Sequence, residues 1–150
     1  MRTLYFEDYT PEWSASGGAY LVTEQELLEM GERFDPRPFH TDPEAARESH
    51  FGGLIASGAH VFCIRTRLVH ELPDGPALLA GLGLEEMDLP NPVRPGDELS
   101  LSQVCLEARP SRSRPDRGIV KLRNTLSNQR GEPVLTMVTK MLVARRSEAG

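Results

Sequence analysis

The sequence predicts an α+β fold in which a mostly antiparallel sheet wraps around one long helix. Residues 54–72, LIASGAHVFCIRTRLVHEL, are too many for a strand and then space Val61, Ile64 and Leu68 at helical intervals, which indicates a helix largely enclosed by the protein. The second half of the chain is instead rich in Val, Leu and Thr between turn clusters. Strands are expected near residues 77–88, 98–109, 117–128 and 133–144. One earlier strand, the buried helix and these four strands form a sheet wrapped around a helix.

Length and charge narrow the class of protein. A chain of 150 residues fits a single domain, here residues 1–150, that buries one core. Lys and Arg number 17 against 22 Asp and Glu, so the net charge of -5 gives no overall positive excess for binding nucleic acid. No run approaches the roughly 18 apolar residues of a membrane span, and the N-terminus lacks the apolar core of a signal peptide. We therefore expect a cytoplasmic protein with no nucleic-acid or membrane partner.

The two cysteines, Cys63 and Cys105, lie in apolar-patterned segments and form no CxxC pair. Neither a disulfide framework nor a metal cluster is indicated. Both are predicted to be reduced thiols in the core, where free cysteine is commonly found.

The first third of the chain is predicted to hold an arm, a strand and a helix. Residues 1–16 form a lead-in arm, whose large aromatic side chains are expected to lie on the domain or on a partner subunit. A short strand follows at 19–23. Thr23 with Glu26 three residues later is a capping box that starts a helix, which ends near Phe34.

A proline-stiffened loop then carries a carboxylate and an imidazole, Asp35 and His40. Pro36 and Pro38 each favour extended geometry in the residue before them. The next segment, TDPEAARES, has the pattern of a capped helical turn with Asp42 as its N-cap.

This loop and the start of the long helix could together perform acid/base chemistry. Asp35 and His40 would lie on opposite faces of a regular strand, but a chain bent by two prolines can bring both to one water molecule. Near Ser57 and Gly58, the helix start offers unpaired N–H groups with roughly +0.5 charge, suited to a developing oxyanion. Glycine there allows a ligand to approach the backbone closely.

Other interpretations of these residues are less favoured. An Asp before Pro is often only a turn residue, although Asp35 stands beside an imidazole and a glycine-rich helix start. His50 and His60 match no compact metal-ligand spacing with His40, so no metal site is expected and both are predicted to be structural or surface histidines. A nucleophilic triad through Ser57 lacks the nucleophile-elbow sequence.

Three sequence boxes carry a resemblance to a known family. They are FDPRPFHTDPEAA at 34–46, GGLIASGAH at 52–60 and LPNPVRPGDELSL at 89–101. In these boxes the chain resembles the MaoC-like dehydratases, a hotdog-fold group that includes (R)-specific enoyl-CoA hydratases. A looser likeness, RPSRSRPDRGIVKLRNTLSNQRGEPVLTM, occurs in bacterial relatives described only as acyl dehydratases.

The resemblance implies a hydro-lyase that acts on acyl-CoA thioesters. Asp35 and His40 would be the catalytic pair, and the Gly58 backbone N–H, beside Ser57, would meet the thioester oxygen. Coenzyme A would enter as part of the substrate, and no metal or redox cofactor is implied. The chain departs from the hydratase pattern at three positions that bear on acyl-chain specificity: Phe34 replaces Gly, Arg37 replaces Asn and Ser57 replaces His.

The resemblance also implies a homodimer or higher homo-oligomer with pockets at the interface. The arginines at 109, 112, 114 and 117 form a basic loop, which is either a solvated hairpin connection or, through Arg112 and Arg114, a contact to coenzyme A phosphates. Two other functions remain open: a hotdog thioesterase, and a non-catalytic acyl-CoA-binding subunit.

Overall fold

A computed structural model describes residues 1–147. In chain order these residues form β1 (Arg2–Leu4), β2 (Ser14–Leu21), α1 (Glu24–Phe34), α2 (Pro38–Thr41), α3 (Pro43–Arg47), α4 (Gly58–Val69), β3 (Asp74–Pro76), β4 (Leu78–Asp88), β5 (Glu98–Pro110), β6 (Arg117–Ser127) and β7 (Pro133–Ala144). A single 3₁₀ turn, Phe6–Asp8, follows β1.

The main sheet has five antiparallel strands in the order β2-β5-β6-β7-β4. Along β5 and β6 alternate residues are buried, as expected of strands with one face on the core. The buried side of α4, with Val61, Ile64 and Leu68, packs in one cluster with Leu99 and Leu126 of the sheet. The predicted α+β architecture, a hotdog sheet around a helix, is confirmed, as are the four strands of the second half.

The long helix is shorter than predicted. It begins at Gly58 rather than Leu54, because the preceding apolar residues are extended and bonded elsewhere. The Ile55 N–H donates to the Phe39 carbonyl at 3.1 Å, and the Ala56 N–H donates to the Val93 carbonyl at 2.9 Å. The helix is also covered on one side only, so Cys63 is exposed and its predicted core position is wrong, whereas Cys105 is buried.

The predicted arm at residues 1–16 lies on the domain, one of its two expected locations, and it contains β1 and the start of β2. β1 pairs in parallel with β3, and β2 begins at Ser14, five residues earlier than the predicted strand at 19–23. Tyr9 is buried on the domain, with its ring centroid 4.9 Å from that of Trp13. A register shift between Gly17 and Tyr20 lets the strand continue through the two glycines that precede the predicted strand.

The elements around the two prolines follow the sequence closely. Thr23 caps α1, and its hydroxyl accepts a hydrogen bond from the Glu26 N–H at 3.2 Å. The predicted capping box does not form, because the Glu26 carboxylate bonds to His60 instead. Asp42 caps α3 as predicted. The loop between α1 and α3 contains a helical turn that the sequence analysis missed, α2, with Pro38 at its first position.

Candidate active site

Asp35 and His40 meet at the junction of α1 and α2. Asp35 is the C-cap of α1, with an extended backbone at φ -151°, and His40 lies in α2. This arrangement brings the Asp35 Oδ2 atom to 3.5 Å from His40 Nε2. His40 is buried, while about a quarter of the Asp35 side chain, 27%, remains exposed. The two groups that the sequence singled out are therefore adjacent, with one side open to a ligand.

The other ring nitrogen of His40 has a fixed partner. His40 Nδ1 lies 2.7 Å from the main-chain oxygen of Ile55. Because a carbonyl oxygen only accepts hydrogen bonds, Nδ1 must carry a proton, which leaves Nε2 as the nitrogen that exchanges protons beside Asp35. The same bond ties the histidine to the extended segment that leads into α4.

The two departures beside Asp35 have different structural consequences. Arg37 lines the same cavity as the pair, and its Nη1 atom lies 3.3 Å from Asp35 Oδ2, the oxygen that faces His40. Phe34 is exposed, with the Arg33 guanidinium 5.1 Å above its ring, and it does not line the cavity. Arg37 can therefore act on the site directly, whereas Phe34 cannot.

The start of α4 forms another wall of the site. Ser57 is its N-cap, only 1% exposed, and its hydroxyl accepts from the His60 N–H at 3.1 Å. The N–H groups of Gly58 and Ala59, in the first turn, have no acceptor within residues 1–147, as is usual at a helix start. Gly58 lines the cavity, while Ser57 lies behind it as a cap. The N–H of Gly58 is thus available to a ligand.

Asp35, Arg37, His40 and Gly58 line one cavity of about 510 Å³. Asp35, His40 and Gly58 share it with apolar side chains from three parts of the chain, including Phe39, Val61 and Val134. Polar and apolar surface line the cavity in nearly equal amounts, and its volume lies within the range of small-molecule sites.

Several lining residues were not assigned from the sequence. The connection between β4 and β5 contributes Leu89, Pro90, Asn91, Pro92, Val93 and Arg94, and the segment after α3 contributes His50 and Phe51. Arg94 Nη2 donates to the Phe51 carbonyl at 2.5 Å and has no carboxylate within ion-pair distance in residues 1–147. The third sequence box contained this connection, but its spacing did not show that it lines the same cavity as Asp35 and His40.

The remaining predicted residues lie away from this cavity. His60 is buried but faces α1. Arg112 and Arg114 are exposed in the β5–β6 connection, at the far end of a 13-residue strand. At about 3.3 Å per residue, that end is roughly 40 Å from the start of β5. One chain does not bring these arginines to Asp35, so their contact with coenzyme A stays a prediction.

Residues 1–147 contain neither a metal-binding cluster nor a helix that could span a membrane. No group of three or more His, Cys, Asp or Glu side chains is placed there to hold a metal ion. Nor does this part of the chain contain a helix with the length and hydrophobicity needed to cross a bilayer.

Comparison with known proteins identifies the family. The model of the MaoC like domain matches residues 21–127, a span that includes Asp35 and His40, the start of α4 and the connection after β4. The chain belongs to the MaoC-like family. It is 33% identical over 139 residues to a UPF0336 protein of Streptomyces avermitilis, covering 87% of this chain and 89% of that protein.

Two solved structures give the MaoC-like fold. The crystal structure of the MaoC-like dehydratase from Rhodospirillum rubrum superimposes with a TM-score of 0.87 at 42% identity, covering 96% of this chain and 99% of that one. The (R)-hydratase PhaJ1 from Pseudomonas aeruginosa has a TM-score of 0.73 at 22% identity, with coverages of 95% and 86%. The first likeness extends to sequence, while the second shows the hotdog fold alone.

Proposed function

We propose that this protein is an acyl-CoA hydratase or dehydratase, a hydro-lyase that adds water to a 2-enoyl thioester or removes it from a 3-hydroxyacyl thioester. The observation that carries the proposal is the 3.5 Å approach of Asp35 Oδ2 to His40 Nε2 in the cavity that Gly58 also lines. Membership of the MaoC-like family, which includes hydratases, supports the same reaction class.

In the proposed reaction, Asp35 and His40 hold the reacting water. Two polar atoms 3.5 Å apart can each bond to one water molecule at ordinary hydrogen-bond length. Between them, Asp35 Oδ2 and His40 Nε2 carry one exchangeable proton at the start. The group without the proton takes one from water as the water oxygen bonds to the β-carbon of the enoyl group. The other group gives its proton to the α-carbon, so the pair again holds one proton at the end.

Between the addition of water and the protonation of the α-carbon, negative charge develops on the thioester oxygen. That oxygen needs a hydrogen-bond donor. As the water oxygen adds, the electron pair of the C=C bond moves toward the thioester oxygen, which becomes an enolate. The free N–H groups of Gly58 and Ala59 at the start of α4 would stabilise that oxygen, aided by the positive end of the helix. Losing one such donor costs on the order of 10²–10³ in turnover in other enzymes.

The substrate class follows from the same cavity. Coenzyme A would enter as part of the thioester, and water addition through an acid/base pair needs no metal or redox cofactor. Arg37 and Arg94 give the cavity two cations, which suit a substrate with anionic phosphates. The cytoplasmic location expected from the sequence stays a prediction.

The test is absorbance loss at the enoyl-thioester band with crotonyl-CoA and with a longer 2-enoyl-CoA. We expect turnover by the wild type and a loss of about 10²–10⁴ in Asp35→Asn, since the carboxylate is replaced by a group that cannot transfer protons. Glu32→Gln, an exposed carboxylate near the end of α1, is the matched control and should keep full activity.

Two other outcomes would replace the proposal. Release of free thiol from a saturated acyl-CoA, with no hydration, would indicate a thioesterase, because the water would then attack the thioester carbonyl. Tight binding of acyl-CoA with neither reaction would indicate a non-catalytic binding subunit.

We also propose a homodimer or higher homo-oligomer. β4 is an edge strand of 11 residues, of which ten are exposed and one, Ala80, is half-buried. Its large apolar side chains include Leu78, Leu79, Leu82 and Leu84. A long apolar edge is a template for pairing with another chain. The outer side of α4 and β4 also line a groove of about 640 Å³ that a second subunit would cover.

A further inference from the structure

A second polar cluster lies outside the cavity and links three elements. Glu26 of α1 accepts at one oxygen from two donors: Tyr20 Oη of β2 at 2.6 Å, and His60 Nε2 of α4 at 2.8 Å. His60 is 1% exposed, and its Nδ1 atom has no hydrogen-bond partner within residues 1–147. None of these three residues lines the cavity.

The cluster departs from what local structure alone would favour. Glu26 stands three residues after the N-cap Thr23, where a capping box would turn its carboxylate back to the Thr23 N–H. The Glu26 side chain instead reaches across to α4, while its N–H keeps the bond to the Thr23 hydroxyl. A polar bridge of this kind adds little net stability over a well-packed apolar pair, but it fixes distance and direction between the two helices.

The bridge joins the two elements that carry the site. α1 ends at Asp35, and α4 begins with Gly58. His60 is held on both sides, because its side chain bonds to Glu26 while its backbone N–H donates to the Ser57 hydroxyl that caps α4. The first turn of α4 is thereby tied to α1 through one residue.

We propose that Glu26 and His60 are positioning residues that hold the Gly58 N–H in place for the thioester oxygen, at a fixed distance from Asp35 and His40. The inference rests on the proposed hydration, because it assigns the bridge a role in that reaction. The bridge keeps the Gly58 N–H at a constant distance from Asp35 and His40. Neither Glu26 nor His60 touches the substrate. A displacement of about 1 Å in such a constellation can cost on the order of 10² in rate.

The experiment compares three substitutions that alter the hydrogen bonds to Glu26 Oε1. Glu26→Leu removes the acceptor at similar size, Glu26→Gln keeps an acceptor, and Tyr20→Phe removes one donor while leaving the carboxylate and His60 in contact. Glu29→Leu, on the exposed side of α1, is the control for a lost surface carboxylate. Each variant is tested as full-length folded protein, well below its unfolding temperature.

With crotonyl-CoA, we expect Glu26→Leu to lower kcat by about 10–100-fold, with KM changed by less than about threefold, because the donor is misplaced in the transition state. The shape of the pH profile should persist, since Asp35 and His40 are intact. Glu26→Gln should recover most of kcat, and Tyr20→Phe should lose about two- to fivefold. An unchanged kcat in Glu26→Leu, or a loss in KM alone, would overturn the inference.

A second readout separates this inference from the proposed reaction. Butyryl-CoA, a saturated thioester, should shift the amide resonance of Gly58 in the wild type and in Glu26→Gln, with a smaller shift in Glu26→Leu. If the wild type does not hydrate enoyl-CoA but the Gly58 shift depends on Glu26, the reaction is wrong and the positioning stands. Equal Gly58 shifts in all variants would refute the positioning, whatever the activity. Should Glu26→Leu fail to fold, Tyr20→Phe decides the question by the same two measurements.

Discussion

Gly31 packs directly against the main chain of His40. A Cβ built on Gly31 would collide with the His40 carbonyl oxygen and lie 2.9 Å from the His40 Cβ. The close approach lets α1 and α2 touch where the imidazole must face Asp35. A glycine that gave no signal in the sequence therefore allows His40 to lie this close to α1.

We expect Gly31→Ala to reduce both stability and activity. Because the colliding atom is backbone, the helices must separate, at a cost of roughly 1–3 kcal/mol in the free energy of unfolding. The shift would also widen the 3.5 Å approach of His40 to Asp35. Urea unfolding and the hydration assay measure the two effects. Gly17→Ala is the control, since a Cβ there would make only an ordinary 3.7 Å contact. A Gly31→Ala protein with wild-type stability would contradict the packing.

The closeness of Asp35 and His40 was predictable, while the walls of their cavity were not. Asp35 and His40 stand in one short segment whose prolines set its geometry, so local rules sufficed. The α4 boundary depended on distant partners instead: Ile55 and Ala56 are as apolar as a helix requires, yet their N–H groups bond to Phe39 and Val93. Contacts between segments far apart in the chain leave no local pattern.

The strands also divide into those that local sequence predicts and those that it does not. The ranges of the strands in the second half followed from turn clusters that separate segments rich in Val, Leu and Thr. The range of the early strand did not, because a bulge at Gly17–Tyr20 carries it through the two glycines that precede the predicted strand. Glu26 was assigned to a capping box on spacing alone, and its bond to His60, 34 positions away, decided otherwise.

The free edge of β4 predicts how the protein assembles. We expect Leu82→Lys to shift the protein toward a monomer of 16.7 kDa in size-exclusion chromatography, since a charge on an apolar edge opposes pairing with another chain. Leu106→Lys on β5 is a close control, because Leu82 and Leu106 are 45% and 44% exposed. Of their two strands, β4 lies at the edge of the sheet and β5 lies inside it. If both variants keep the wild-type elution volume, β4 is not the interface.

Replacing the buried amide of Asn124, in the middle of the sheet, should greatly reduce the stability of the protein. Asn124, 0% exposed, accepts from Arg65 Nε at 3.1 Å, from Arg65 Nη2 at 2.9 Å and from Gln103 Nε2 at 2.7 Å. Burial lowers the pKa of the Arg65 guanidinium to about 10. Asn124→Leu would leave these donors unpaired, and we expect a loss of about 2–4 kcal/mol in the free energy of unfolding.

Urea unfolding of a double-mutant cycle checks this prediction. Arg65→Met combined with Asn124→Leu should recover part of the loss, since the arginine is no longer buried without its acceptor. Thr125→Val, the next position on β6, controls for a polar loss on the half-buried side of the strand. Additive losses in the double variant would show that the two residues are not coupled.

The change in the free energy of unfolding at acid pH should depend on Glu26. Burial raises the pKa of its carboxyl group, but the hydrogen bonds from Tyr20 and His60 outweigh burial, so the net pKa lies below the ordinary value of 4.5. A carboxyl whose folded pKa is depressed stabilises the protein above its unfolded pKa, and that contribution is lost as the pH falls through the folded pKa. We therefore expect Glu26→Gln to be less stable than the wild type at pH 7, and the difference to shrink below about pH 4.5.

Urea unfolding at several pH values between 7 and 3 measures that difference, with Glu29→Gln as the exposed control on the same helix. In Glu29→Gln the gap from the wild type should stay small throughout. A Glu26→Gln gap that is constant or grows toward acid pH would mean that the carboxylate is not held in its charged form by its two donors. The same result would remove the electrostatic basis for the link between α1 and α4.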